Sequence, residues 1–211
     1  MKLTLKAHAL HTVMSDALAF SSTDATLPVL NGIRIETVQR GAIVDVIAVA
    51  TDRFTLGVSR ADGSGDILPE FNLTASDAKN LVRIAKTLAR MQSYRTVDVE
   101  TSDDDLNVMF VFSTGETVTV RKAEHEFPRW RQLFPTDDAG MADDVSGIGY
   151  TPEYLAKFGK VAASKRNPMR FFPRVSKPGV VMIGDDFMGI IMPVRIPGDT
   201  NRGTYATPVW F

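Results

Sequence analysis

The sequence predicts an α+β fold made of repeated β-α-β-β-β modules, three per chain. Three observations lead there. Stretches of alternating apolar and polar residues recur in groups, and a stretch of helical period follows the first member of each group. Turn residues separate the members. The chain has 211 residues and is 44% hydrophobic, enough for a packed core in one large or two small domains.

The elements follow in order. KLTLKA, 2–7, alternates as a strand, and AHALHTVMSDALAF places Leu10, Val13, Met14, Ala17 and Leu18 at helical spacing. LNGIRIETV, AIVDVIAVAT and FTLGVSR are three strands whose turns carry Gly41 and Asp52. The order then repeats. FNLTA is a strand, Ser76 is expected to cap a helix from about Asp77 to Met91, and RTVDVET, LNVMFVFS and ETVTVRKA are strands. Residues 136–146 are polar, acidic and aperiodic, which predicts a linker between a two-module domain, 1–135, and a single module, 147–196. In that module GIGYT is a short strand, PEYLAKFGKVAAS is a helix opened by Thr151 and Pro152, and MRFFPR, GVVMIG and MGIIMPVRI are strands. Residues 197–211 read as a tail rich in Gly, Pro and Thr.

Composition narrows the function. With no cysteine there are no disulfides, thiolate metal sites or cysteine nucleophiles. No apolar run approaches the roughly 18 residues of a membrane span, and the N-terminus lacks a sustained apolar segment, so a cytoplasmic location without membrane partners is expected. The net charge of −1 predicts no partner by itself, so the distribution of charge carries the information. On the second helix Ala78, Leu81, Val82, Ala85, Leu88 and Ala89 form the apolar stripe, while Lys79, Arg83, Lys86 and Arg90 recur at spacings of four, three and four on another face. The third helix repeats this with Leu155, Phe158 and Val161 inward and Lys157 and Lys160 outward. Like charges at such spacing repel by a few tenths of a kcal/mol, whereas an ordinary solvated face mixes signs. A polyanion facing the helices accounts for the bias, since each cation that neutralises a phosphate releases counterions. No helix-turn-helix, zinc-finger or RNA-recognition signature is present, so contact with the phosphate backbone without sequence reading is expected.

An enzyme is not expected. There is no phosphate-binding glycine loop, nucleophile elbow or two-carboxylate constellation, and no cofactor is implied. His8 and His11 stand three apart without a third ligand, which predicts a solvated pair or one facing phosphates rather than a metal site. The acids Asp103 to Asp105, Asp137, Asp138, Asp143 and Asp144 fall in turns or the linker, leaving a metal-dependent nuclease as the remaining enzymatic idea.

LPVLNGIRIE, ATDRFTLG, FPRWRQLFP and GIIMPVRI, in that order and on predicted strands and turns, resemble the bacterial DNA polymerase III β sliding clamp and its phage-encoded relatives. Residues 1–135 are similar to the middle domain of that clamp, and 147–196 to the second half of its last domain. The resemblance implies a shortened clamp: helices lining a hole around duplex DNA, strands outside, and a non-catalytic processivity role that tethers DNA polymerase or other replication proteins. Twelve modules make the family's ring, so three per chain would require four chains; a homo-oligomer is expected, a tail-to-tail dimer that need not close into a ring is equally compatible, and a clamp loader is left open. The resemblance also implies a pocket for a short hydrophobic partner peptide. One wall would be Leu30, Thr51, Arg53, Phe54, Leu56 and Pro135. The other would be Thr151, Tyr154, Val180, Ile190, Ile191, Met192, Pro193, Val194 and Arg195. Where the family usually has Gly-His-Arg, this chain has Arg53-Phe54-Thr55, so the partner stays open. The alternative is a clamp-like interaction protein that keeps the pocket and binds clamp partners without encircling DNA.

Overall fold

The computed structural model describes residues 1–92, 94–102, 105–134, 148–174 and 177–194. The expected linker at 136–146, the tail at 197–211, and the predicted wall residues Pro135 and Arg195 lie outside the described residues. The chain divides into two compact units, Met1–Pro128 and Arg129–Phe211.

In the first unit, β1 (Lys2–Lys6), α1 (Ala7–Leu18), β2 (Gly32–Arg40), β3 (Ile43–Thr51) and β4 (Thr55–Gly65) form one module. The second is β5 (Phe71–Thr74), α2 (Ala75–Met91), β6 (Thr96–Thr101), β7 (Asn107–Phe112) and β8 (Thr117–Arg121). Their strands run in the order β5-β2-β3-β4-β1-β6-β7-β8, antiparallel throughout. Each module lends its first strand to the other: Lys2 to Lys6 pair with Glu100 to Thr96, and Gly32 to Ile35 pair with Thr74 to Phe71. The exchange explains why neither module would bury its apolar surface alone. The ends of the strand order also approach one another, the Ala123 amide donating to the Asn72 carbonyl at 2.9 Å. Alternation directs Leu3, Leu5, Val97, Val99, Phe110 and Phe112 inward; Leu10, Val13 and Met14 of α1 lie beside Leu3, Leu5, Val99 and Phe110, and Leu81 and Ala85 of α2 are buried too.

Two expectations for this unit need correction. Thr74, not Ser76, caps α2: its hydroxyl accepts from the Asp77 amide at 3.2 Å and donates to the Asp77 carboxylate at 2.6 Å. This reciprocal box satisfies an orphan amide and sets an acid at the positive end of the helix, which Ser76 has no residue three positions on to match. Strand β4 also runs five residues past the expected Arg60, through Ala61-Asp62-Gly63-Ser64-Gly65. These turn-forming residues pair instead with β3 and β1. Gly65 has φ +117, and a Cβ there would lie 2.5 Å from the Lys2 carbonyl oxygen, so the pairing with β1 requires glycine.

In the second unit α3 (Pro152–Lys165) covers an antiparallel sheet of β9 (Met169–Phe172), β10 (Gly179–Ile183) and β11 (Phe187–Ile191). Phe158 of α3 meets Phe187 edge-on, with ring centroids 6.3 Å apart, and Lys165 pairs with Asp186 at 2.8 Å. The helix ends at Arg166 in the left-handed conformation. The expected strand GIGYT is not one. Its described residues contribute a single bridge, Gly149 to Val194, because Pro193 ends β11 shortly before and leaves little strand to pair with.

Candidate nucleic-acid interface

The first candidate surface is built by α2. Ala75, Ala78, Leu81, Ala85 and Leu88 are buried, so the opposite side must face solvent. Lys79, Arg83, Lys86 and Arg90 are all exposed there, and none has an ion-pair partner among the described residues. The predicted stripe is narrower than expected, since Val82 and Ala89 are only half-buried. Eleven residues separate Lys79 from Arg90, about 17 Å along the axis. That length corresponds to about five base-pair steps along a duplex axis, at about 3.4 Å of axial rise each. Asn80 and Thr87, also exposed, add neutral hydrogen-bonding groups that the charge pattern alone did not single out.

A neighbouring contribution was not legible from α2. Helix α1 packs against α2, and His11 of α1 is held below the usual imidazole range by its burial, then by the positive charges of Lys86, His8 and Arg90. His8 is exposed one turn away. Among the described residues, no cluster of three or more His, Asp or Glu side chains is placed to hold a metal ion. Among the described residues, no helix is long and apolar enough to cross a membrane.

On α3, in the second unit, Lys160 is exposed and Lys157 half-exposed, its ammonium 5.9 Å from the Tyr154 ring centroid. Phe158 and Val161 are buried as expected, while Leu155 is half-buried.

The turn from Thr51 to Thr55 is a built structure. The Asp52 carboxylate accepts from the amides of Phe54 at 3.0 Å and Thr55 at 2.6 Å and from the Thr55 hydroxyl at 2.9 Å. The Thr51 hydroxyl donates to the Thr55 carbonyl at 2.8 Å and accepts from the Arg53 amide at 3.2 Å. Arg53 is thereby held at φ +81, a conformation that favours glycine. Its guanidinium sits 5.6 Å from the Phe54 ring centroid. Arg53 and Phe54 are exposed, whereas Leu30, Thr51 and Leu56 are buried, with Thr51 and Leu56 directly paired across β3 and β4.

The residues expected for the second wall divide between two faces of their sheet. Val180 and Ile190 are register partners on one face. Ile191 is on the other, with Val181, Ile183 and Phe187, toward α3, and is completely buried. Met192 and Val194 are exposed, and Thr151, Tyr154 and Pro193 are half-buried. A concavity of about 360 Å³ in the first unit, lined by residues including Pro28, Ile33, Asn72 and Phe127, contains none of the expected wall residues.

Paired modules that exchange their first strands, with helices on one side carrying exposed cations, define the sliding-clamp fold. Solved structures similar to this chain include bacterial DNA polymerase III β sliding clamps. The chain is similar to the β sliding clamp of Caulobacter crescentus, with TM-score 0.76 and 18% identity over 92% of this chain and 65% of that one. It is similar to the clamp of Bartonella birtlesii solved bound to griselimycin, with TM-score 0.71 and 14% identity over 92% and 66%. A DNA polymerase sliding clamp from Bacillus subtilis matches with TM-score 0.70 and 14% identity over 93% of this chain and 64% of that one. The chain therefore spans about two thirds of the length of the solved clamps it matches. No protein-family model matches the chain.

Proposed function

We propose that this protein is a non-catalytic processivity factor that tethers a replication protein to duplex DNA without reading its sequence. The supporting observation is the row of four exposed cations on α2, without ion-pair partners among the described residues, carried by a unit of sliding-clamp fold. Lys157 and Lys160 of α3 offer phosphate contacts in the second unit. The chain works as a homo-oligomer that takes a short hydrophobic peptide of its partner, for which Phe54 of the first unit and Met192 of the second are each exposed apolar contacts.

The test is retention on a nicked circular plasmid during gel filtration near physiological salt. Co-elution with the circle and release on linearisation are expected. Peptide binding without retention on either form would instead favour the interaction protein that does not encircle DNA. For the peptide contact the informative change is Met192→Asp, because Met192 is exposed. Ile191→Asp would report folding, since that side chain is fully buried on the α3 side.

A further inference from the structure

We propose that His8 and His11 extend the phosphate-contact face of α2 onto α1, so that retention on DNA strengthens as the pH falls through the histidine range. The inference rests on the DNA-contact reading of α2 and adds to it a second helix and a proton-linked response.

The geometry is specific. The two imidazoles are one helical turn apart, His8 exposed and His11 half-buried, on the helix that packs against α2. The charges acting most on His11 are Lys86 and Arg90 of α2, both on the proposed contact face, and His8 beside it. The acids of every element packed on α1 are engaged elsewhere. On α1 itself, Asp16 is buried and accepts from the Ser59 hydroxyl at 3.1 Å. On α2, Asp77 is held in the Thr74 cap, and the remaining charges are Lys79, Arg83, Lys86 and Arg90. On β2, β3 and β4, Arg34 pairs with Glu36, and Arg40 and Arg60 pair with Asp45 and Asp62. On β1 and β6, Lys2 pairs with Asp98 and Glu100, and Lys6 adds another positive charge. Among the described residues, the charges acting on His11 are therefore all positive, and an external anion would relieve them.

The sign follows from linkage. Burial and positive neighbours keep His11 neutral in the free protein at neutral pH. A phosphate row on α2 would offset Lys86 and Arg90 and accept from the imidazolium, raising its pKa in the bound state. The gain in affinity is then fully present below the free-state pKa and is lost as pH rises through the bound-state pKa.

Fluorescence anisotropy with a labelled duplex, at constant ionic strength and at about pH 6 and about pH 8, reads this directly. The wild type should bind more tightly at the lower pH, by at most about tenfold for a one-unit rise in one imidazole pKa. The double variant His8→Gln/His11→Gln should lose the increase in affinity at the lower pH. Equal pH dependence in wild type and variant, with DNA bound by both, would overturn this inference and leave the α2 contact standing. Failure of the wild type to bind DNA at either pH would overturn both. Titration of the His11 ring by NMR in the unaltered protein, with and without duplex, needs no variant. A raised value with DNA supports the inference, and an unchanged one overturns it.

Discussion

Neutralising two cations of α2 at its N-terminal half, Lys79→Gln with Arg83→Gln, should change the salt dependence of DNA binding by a calculable amount. Both side chains are exposed, have no ion-pair partner among the described residues, and lie one turn apart on the solvent side of a 17-residue helix. Their removal exposes no buried group and should leave folding nearly unchanged. Each phosphate contact contributes about 0.9 to the slope of log K against log salt, so losing two should flatten the slope by about 1.8. Across a fourfold change in salt the wild type should lose about twelvefold more affinity than the variant. Duplex anisotropy at four or more salt concentrations, with circular dichroism to confirm folding, measures this. Equal slopes in a folded variant would show that these side chains do not meet phosphates, and the helix face would have to be abandoned as the contact surface.

Other consequences are structural. Thr74→Ala removes both hydrogen bonds of the α2 cap and should cost about 1 kcal/mol in urea denaturation, while Ser76→Ala should have little effect. Gly57→Ala would place a methyl carbon 2.2 Å from the Phe20 ring, which is fully buried, and should destabilise the fold by about 1–3 kcal/mol. Hydrogen bonding from Arg40 outweighs burial and, with Arg60, holds the Asp45 carboxyl below its ordinary range. That stabilisation is complete above the unfolded carboxylate pKa of about 3.9 and is lost as pH falls through the lower folded value. Thermal melts should therefore drop on acidification below about pH 4, less steeply in Asp45→Asn.

What could be read in the sequence was what local periodicity encodes. The spacing of Ala78, Leu81, Ala85 and Leu88 fixed which side of α2 is buried, and hence that Lys79, Arg83, Lys86 and Arg90 face out. Alternation likewise marked the strands of the first unit. Features that depend on which elements meet were not legible. Asp62-Gly63-Ser64-Gly65 has the composition of a turn, and only the approach of β1 to Gly65 shows why those residues extend a strand. Thr74 and Ser76 are both plausible caps, and the side chain three positions on decides between them. His11 gains its electrostatic surroundings from α2, some 75 residues later in the chain, so no window of sequence contains the pair. At the expected pocket, the sequence located the turn and the Met-Pro segment. It did not reveal that Val180 and Ile190 share a face that Ile191 does not.

The absence of cysteine permits a direct test of the central claim, that duplex DNA lies against the helix side. A photocrosslinker attached after Arg83→Cys would sit on α2, and one attached after Thr119→Cys would sit on an exposed position of β8. Irradiation with duplex DNA should crosslink the α2 position strongly and the β8 position weakly. Equal crosslinking, or a preference for Thr119, would contradict the account.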